Sequence, residues 1–213
     1  MKDYIDTITL KTNLAPKKIL EIGTRDGHDA NYLKEAFRIK SEDVFVVEPH
    51  PDSYKQICID YPEFNIYNVA FSNENGHHKF HALKRDAGIS SLLERNDDFY
   101  KNTPHEVVMV DVSRGDTFLR NNNLSETQFD LCKIDVEGLT YEVLEGFGDL
   151  IRNIKSMHIE NEYNQIWKGQ KVYSEVIDLL ESLGYVQIYE KQVNNVRVQS
   201  DSIWTLPEHI KNK

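Results

Sequence analysis

At 213 residues, with a hydrophobic fraction of 39%, a charged fraction of 28% and a formal net charge of −10, the chain is long enough to bury a full core and has a soluble, globular composition. No apolar run is long enough to cross a bilayer, and the acidic balance disfavours a large nucleic-acid footprint, which needs clustered Lys and Arg. The two cysteines, Cys58 and Cys132, sit in apolar helical and strand patterns; they read as buried free thiols, and so as a sign of a reducing, cytoplasmic compartment.

In chain order, residues 1–15 form a leading segment. Its Met1–Asn13 stretch carries Asp3 and Asp6 among scattered apolar residues, the wrong pattern for a secretory leader, and reads as a helix. After Pro16, strand and helix alternate, which predicts a parallel sheet covered on both faces. Strands are expected at Lys18–Ile22, Asp43–Glu48, Asn65–Ala70, Phe129–Ile134 and Ile154–Glu160. Helices are expected where Ala30, Leu33 and Phe37 recur, and at Ser53–Asp60, Thr140–Phe147 and Val172–Leu183, the last closed by Gly184 in a left-handed conformation. Residues 76–112 interrupt the alternation: Gly76–Leu83 and Glu106–Val112 read as extra strands, with a loop or lid over Asp86–Asn102. Tyr185–Glu190 and Val196–Leu206 read as a closing hairpin turning at Asn194-Asn195. No linker or repeat divides the chain, so residues 1–213 are expected to form one domain.

The informative turn is Glu21-Ile22-Gly23-Thr24-Arg25-Asp26-Gly27, between the first strand and its helix. Glycines at 23 and 27 let a ligand approach the main chain, and the N-terminus of the new helix favours negative charge. Glu48, ending the next strand, is placed to accept both hydroxyls of a ribose. A dinucleotide fingerprint would need glycine where Arg25 and His28 stand, and no Gly-Lys-Ser/Thr loop is present, which argues against NAD, FAD and ATP hydrolysis. A second constellation, Lys133-Ile134-Asp135-Val136-Glu137-Gly138, sets two carboxylates at another strand end, and His158, Glu160 and Glu162 follow at a third. In an open parallel sheet these ends face the ligand crevice.

Together with Val47-Glu48-Pro49, Asn68-Val69-Ala70, Ser90-Ser91-Leu92, Val143-Leu144-Glu145-Gly146 and Ile159-Glu160, these motifs resemble, in order and over nearly the whole chain, the FkbM family of S-adenosylmethionine (SAM)-dependent methyltransferases. Arg25-Asp26 departs from the family's usual asparagine and small or apolar residue. The resemblance implies a Rossmann-like α/β fold with a seven-stranded, mostly parallel sheet, its last strand antiparallel, and helices on both faces. It implies SAM held by Glu21, Gly23, Thr24, Arg25, Asp26 and Gly27, by Glu48 and Pro49, by Asn68, Val69 and Ala70, and by Ser91 and Asp135. It also implies methyl transfer to a hydroxyl of a sugar or glycosylated small molecule.

Such a transfer needs an aligned hydroxyl and a proton acceptor. Asp135 and Glu137 are the leading candidates and His158 a second base. Similarity to magnesium-dependent sugar O-methyltransferases adds Mg2+ as a candidate cofactor, held by Asp135 with Glu160 or Glu162. His77, His78 and His81 are spaced for zinc but lack a fourth ligand and read as surface histidines. Trp167 and Trp204 are candidate floors for a sugar, although burial explains most tryptophans. Methylation of nucleic acid and a SAM-binding module without chemistry are the competing readings. The chain carries no membrane partner signal, and a homo-oligomer is left open.

Overall fold

The computed structural model describes residues 1–83, 87–96, 104–192 and 198–212. Among these described residues, ten strands and six α-helices follow in the order α1 (Lys2–Lys11), β1 (Ile19–Ile22), α2 (His28–Phe37), β2 (Val44–Val47), α3 (Pro51–Asp60), β3 (Asn65–Tyr67), β4 (Ala70–Ser72), β5 (Gly76–Leu83), β6 (His105–Arg114), α4 (Gly115–Asn121), β7 (Phe129–Ile134), α5 (Thr140–Gly146), β8 (Ile154–Glu162), α6 (Tyr173–Ser182), β9 (Val186–Gln192) and β10 (Gln199–Thr205). Seven strands form the main sheet in the order β3-β2-β1-β7-β8-β10-β9. Only β10 runs against its neighbours. This is the expected architecture, and the reversal of order beside β1 opens the crevice above it.

The strands are apolar on both faces because helices cover both. Leu20, Ile22, Val47, Ile134, Met157 and Ile159 pack with α4, α5 and α6. Ile19, Val44, Val46 and Leu131 pack on the opposite side with α1, α2 and α3. Helix α6 ends as its glycine predicts. Gly184 has φ of 84°, its N–H reaches the Glu181 carbonyl, and the Tyr185 N–H reaches that of Leu180, the paired bonds of a Schellman motif.

One expectation needs correction. The strand read at Asn65–Ala70 is two: β3 belongs to the main sheet, whereas β4 leaves it for a second sheet of order β4-β6-β5. Asn68 and Val69 make the corner, with the Asn68 amide donating to the Glu48 and Pro49 carbonyls at 2.8 and 3.1 Å. Helix α4, with only Gly115, Phe118 and Leu119 buried, is too short for periodicity to announce. The expected lid is described only in part, and residues 87–96 form a short 3-10 turn followed by a strap paired at Ser91 with His81 and at Arg95 with Trp167. The rest of the Asp86–Asn102 reading, and the Asn194-Asn195 turn, lie outside the described residues. Among the described residues, no helix is long and apolar enough to cross a membrane.

Candidate active site

Strand register builds the site. Ile22 pairs with Val47 and Ile134, and Ile134 with Ile159, so the next residue of each strand, Gly23, Glu48, Asp135 and Glu160, stands on one level at the carboxyl edge. A cavity of about 470 Å3 opens there. Its walls include Thr24, Arg25, Asp26, Pro49, Val69, Ala70 and Glu137 besides those four. Acids outnumber bases on these walls: Asp26, Asp29, Glu48, Asp135, Glu137 and Glu160 stand against Arg25, His28 and Lys133.

Each glycine of the first loop has a packing reason of its own. Gly23 has φ of 77°, and a Cβ there would lie 1.9 Å from the Asp135 carbonyl oxygen. It is required by the approach of the β7 end, and a ligand is not needed to explain it. A Cβ on Gly27 would meet the Tyr61 ring at 2.9 Å. The N-terminus of α2 is also already served from within. Thr24 Oγ1 accepts the Gly27 N–H, Asp26 Oδ1 that of His28, and Glu21 Oε2 that of Ala30, all within 3.0 Å. Three of the donors that the sequence offers to an anion at this terminus are thus taken by side chains.

Glu48 lines the cavity with a carboxylate fixed by two backbone donors, Arg25 N–H at 2.8 Å and His50 N–H at 2.7 Å. Each oxygen keeps a second lone pair for a ligand hydroxyl. Burial pushes its pKa up to about 7. One level below lies a charged row on the α1–α3 face, where Glu21 pairs in register with Lys133 and Lys133 with His158. The Lys133 ammonium stands 2.9 Å from Asp29 and from Asp135, and 3.7 Å from Glu21. Burial raises Glu21 to about 7 and lowers His158 to about 3.

The carboxylates Asp135, Glu137 and Glu160 offer oxygens all within 4.8 Å of one another. Glu137 is held at φ of 47°, a left-handed conformation uncommon for a non-glycine residue and frequent at functional sites. Burial first, then the charges of Asp135, Glu160 and Glu162, pushes its carboxyl well above the usual range. Burial and the neighbouring Asp135 raise Glu160 to about 8 and Glu162 to about 7.

Other sequence candidates stand behind the walls. Glu21, Gly27, Asn68 and Ser91 do not line the cavity; the Ser91 hydroxyl donates to the Glu137 carbonyl at 2.7 Å. Glu162 is not in the carboxylate trio, and its Oε2 accepts from the Gln170 amide at 2.8 Å. His158 is buried against the Tyr4 ring with centroids 5.3 Å apart, below the cavity. Trp167 and Trp204 are core residues, Trp167 lying where a Cβ on Gly138 would reach to 2.4 Å. His77 pairs with Asp111 and His78 with Glu74, whereas His81 packs near His105, so the three do not converge. Residues not foreseen in the walls include Asp29, Lys133, Phe71, Phe80, Ile89 and Leu92. Phe80 carried a weak signal, because Phe80 and Ala82 alternate along β5.

Sheet order, the reversed β10 and the cavity at the carboxyl edge define a Rossmann-like methyltransferase. Residues 21–186 match the model of the methyltransferase FkbM domain, and the chain belongs to that family of SAM-dependent methyltransferases. It is 25% identical over 188 residues to the 2-O-methyltransferase NoeI of Sinorhizobium fredii, covering 82% of this chain and 75% of that one. Among solved structures it resembles the methyltransferase FkbM from Methylobacillus flagellatus, with a TM-score of 0.55 and 12% identity, over 90% of this chain and 44% of that chain. It also resembles M. capricolum TrmK in complex with S-adenosyl-homocysteine, with a TM-score of 0.53 and 13% identity, over 96% and 67% of the two chains. At such identities these two structures speak for the fold.

Proposed function

We propose that this protein transfers the methyl group of SAM to a hydroxyl of a neutral small molecule, a sugar or glycoside. The observation that carries the reading is the single level at the carboxyl edge, where a fixed Glu48 and the trio Asp135, Glu137 and Glu160 share one cavity. In this reading Glu48 accepts the ribose hydroxyls, the main chain around Gly23 and Thr24 meets the methionyl part, and Pro49, Val69 and Ala70 hold the adenine. Asn68 and Ser91 position the Glu48 and Glu137 segments through the hydrogen bonds above.

SAM supplies an electrophilic methyl on a sulfonium, so the protein aligns the acceptor oxygen and takes its proton. Glu137 is the proposed base. Its raised pKa makes it a stronger base than a solvated glutamate, and a sulfonium beside it favours the ionised form. Asp135 is held by Lys133 and orients that end of the cavity. The net charge of −10 disfavours phosphate-bearing acceptors, which favours a neutral sugar over nucleic acid; similarity to a 2-O-methyltransferase supports transfer to a hydroxyl. The trio is hard in donor type, so Asp135 and Glu160 would hold Mg2+ with Glu137 beside them as the base, while Glu162, expected from the sequence, stands outside the trio. Such an ion would polarise the acceptor hydroxyl. The free Cys58 and Cys132 suit a reducing, cytoplasmic setting.

The test is mass-spectrometric detection of S-adenosylhomocysteine and methylated product after incubation with SAM and a panel of glycosides, oligonucleotides and tRNA, with and without EDTA. Methylated glycoside is expected. Methylated nucleic acid, or cofactor binding with no product on any member of the panel, overturns the reading.

A further inference from the structure

Lys133 is the only lysine in the cavity walls among the described residues, and it stands between two carboxylates that share those walls. Its Nζ contacts Asp29 Oδ2 and Asp135 Oδ2, each at 2.9 Å. Only 9% of its side chain is exposed, whereas Asp29 is 36% exposed. Asp29 belongs to the first turn of α2, so one buried cation ties the helix that follows the Gly23 loop to the end of β7. Each aspartate uses one oxygen on the lysine and keeps the other for a ligand.

The cavity walls also carry two chemically distinct sets of residues. Val69, Ala70, Phe71, Phe80, Ile89 and Leu92 offer an apolar wall suited to a purine, whereas Asp29, Lys133 and Asp135 offer fixed charges. An amino-acid end carrying an ammonium matches two carboxylates set side by side by a lysine.

We propose that Asp29 is a specificity-determining residue that binds the α-ammonium of the cofactor, and that Lys133 positions it together with Asp135. The inference rests on the SAM reading of the cavity and adds the group that distinguishes SAM from nucleosides lacking the amino acid. Asp29 accepts the ammonium through its free oxygen, and Lys133 prevents the carboxylate from turning to solvent. Arg25, exposed at the mouth, plays no part in this.

The test compares two probes by calorimetry on the full chain: S-adenosylhomocysteine, and 5′-methylthioadenosine, which keeps the nucleoside and thioether but lacks the amino acid. Asp29→Asn is expected to weaken S-adenosylhomocysteine on the order of tenfold or more, the scale of a hydrogen bond between charged groups, and to change methylthioadenosine less than about twofold. Lys133→Arg, which keeps the charge, should hold affinity for S-adenosylhomocysteine closer to the parent than Lys133→Met does. Circular dichroism and a melt of each variant report folding separately. Equal weakening of both probes, or unchanged S-adenosylhomocysteine affinity in Asp29→Asn, overturns the assignment while leaving the SAM reading in place. Parent protein that binds neither probe overturns both.

Discussion

Replacing Gly23 by alanine puts a single methyl group where the structure has no room. Two costs combine. The residue sits at φ of 77°, where an L side chain costs about 1–2 kcal/mol. The added Cβ lies 1.9 Å from the Asp135 carbonyl oxygen, and relieving that overlap adds about 1–3 kcal/mol, as in other overpacked sites. Neither chain segment is free to retreat, because the Gly23 N–H is bonded to the Val47 carbonyl and the Asp135 N–H to the Ile22 carbonyl. Gly23→Ala should therefore lose about 2–5 kcal/mol of stability, read as a lower urea midpoint at unchanged slope. The melting temperature should fall by about 4–20 °C. Unchanged stability, with only cofactor affinity reduced, would refute the argument and restore the glycine to a ligand-approach role.

Gly184→Ala is a milder control. The residue has φ of 84°, and its Cβ would meet only the movable tip of Arg152 at 2.8 Å, so a loss of about 1 kcal/mol is expected in the same titration. Glu137→Gln should lower turnover on a working acceptor by about 10²–10⁴-fold while calorimetric affinity for S-adenosylhomocysteine stays within a few-fold; equal activity would remove Glu137 as the base. Glu160 has a folded pKa of about 8 against a reference of 4.5, so the folded state holds the extra proton between those values. By linkage its contribution to stability is unperturbed below about pH 4.5 and becomes progressively unfavourable as pH rises towards about 8. Glu160→Gln should accordingly flatten the fall in urea midpoint between pH 6 and pH 8.5, and an unchanged slope would contradict the burial argument.

The sheet was legible because its strands are short apolar runs bounded by turns, and because Glu48 and Asp135 each follow such a run directly. What stayed hidden was set by contacts distant in sequence. The corner at Asn68 depends on a side chain reaching back to the Glu48 carbonyl, which no local pattern announces. Asp29 reads as an ordinary first-turn acid until Lys133, from β7, is seen beside it. Glu162 and Glu160 share one face of β8 and look equivalent in sequence, and their partners tell them apart, the Gln170 amide on Glu162 and the Gln199 amide on Glu160. The tryptophans read ambiguously, and burial decided both.

The direct trial of the account is a crystal structure of the protein soaked with S-adenosylhomocysteine. The ribose hydroxyls should lie within hydrogen-bond distance of Glu48, the thioether should face Asp135 and Glu137, and the purine should rest against Val69 and Ala70. A ligand seated elsewhere, or a nucleoside whose ribose leaves Glu48 untouched, would contradict it.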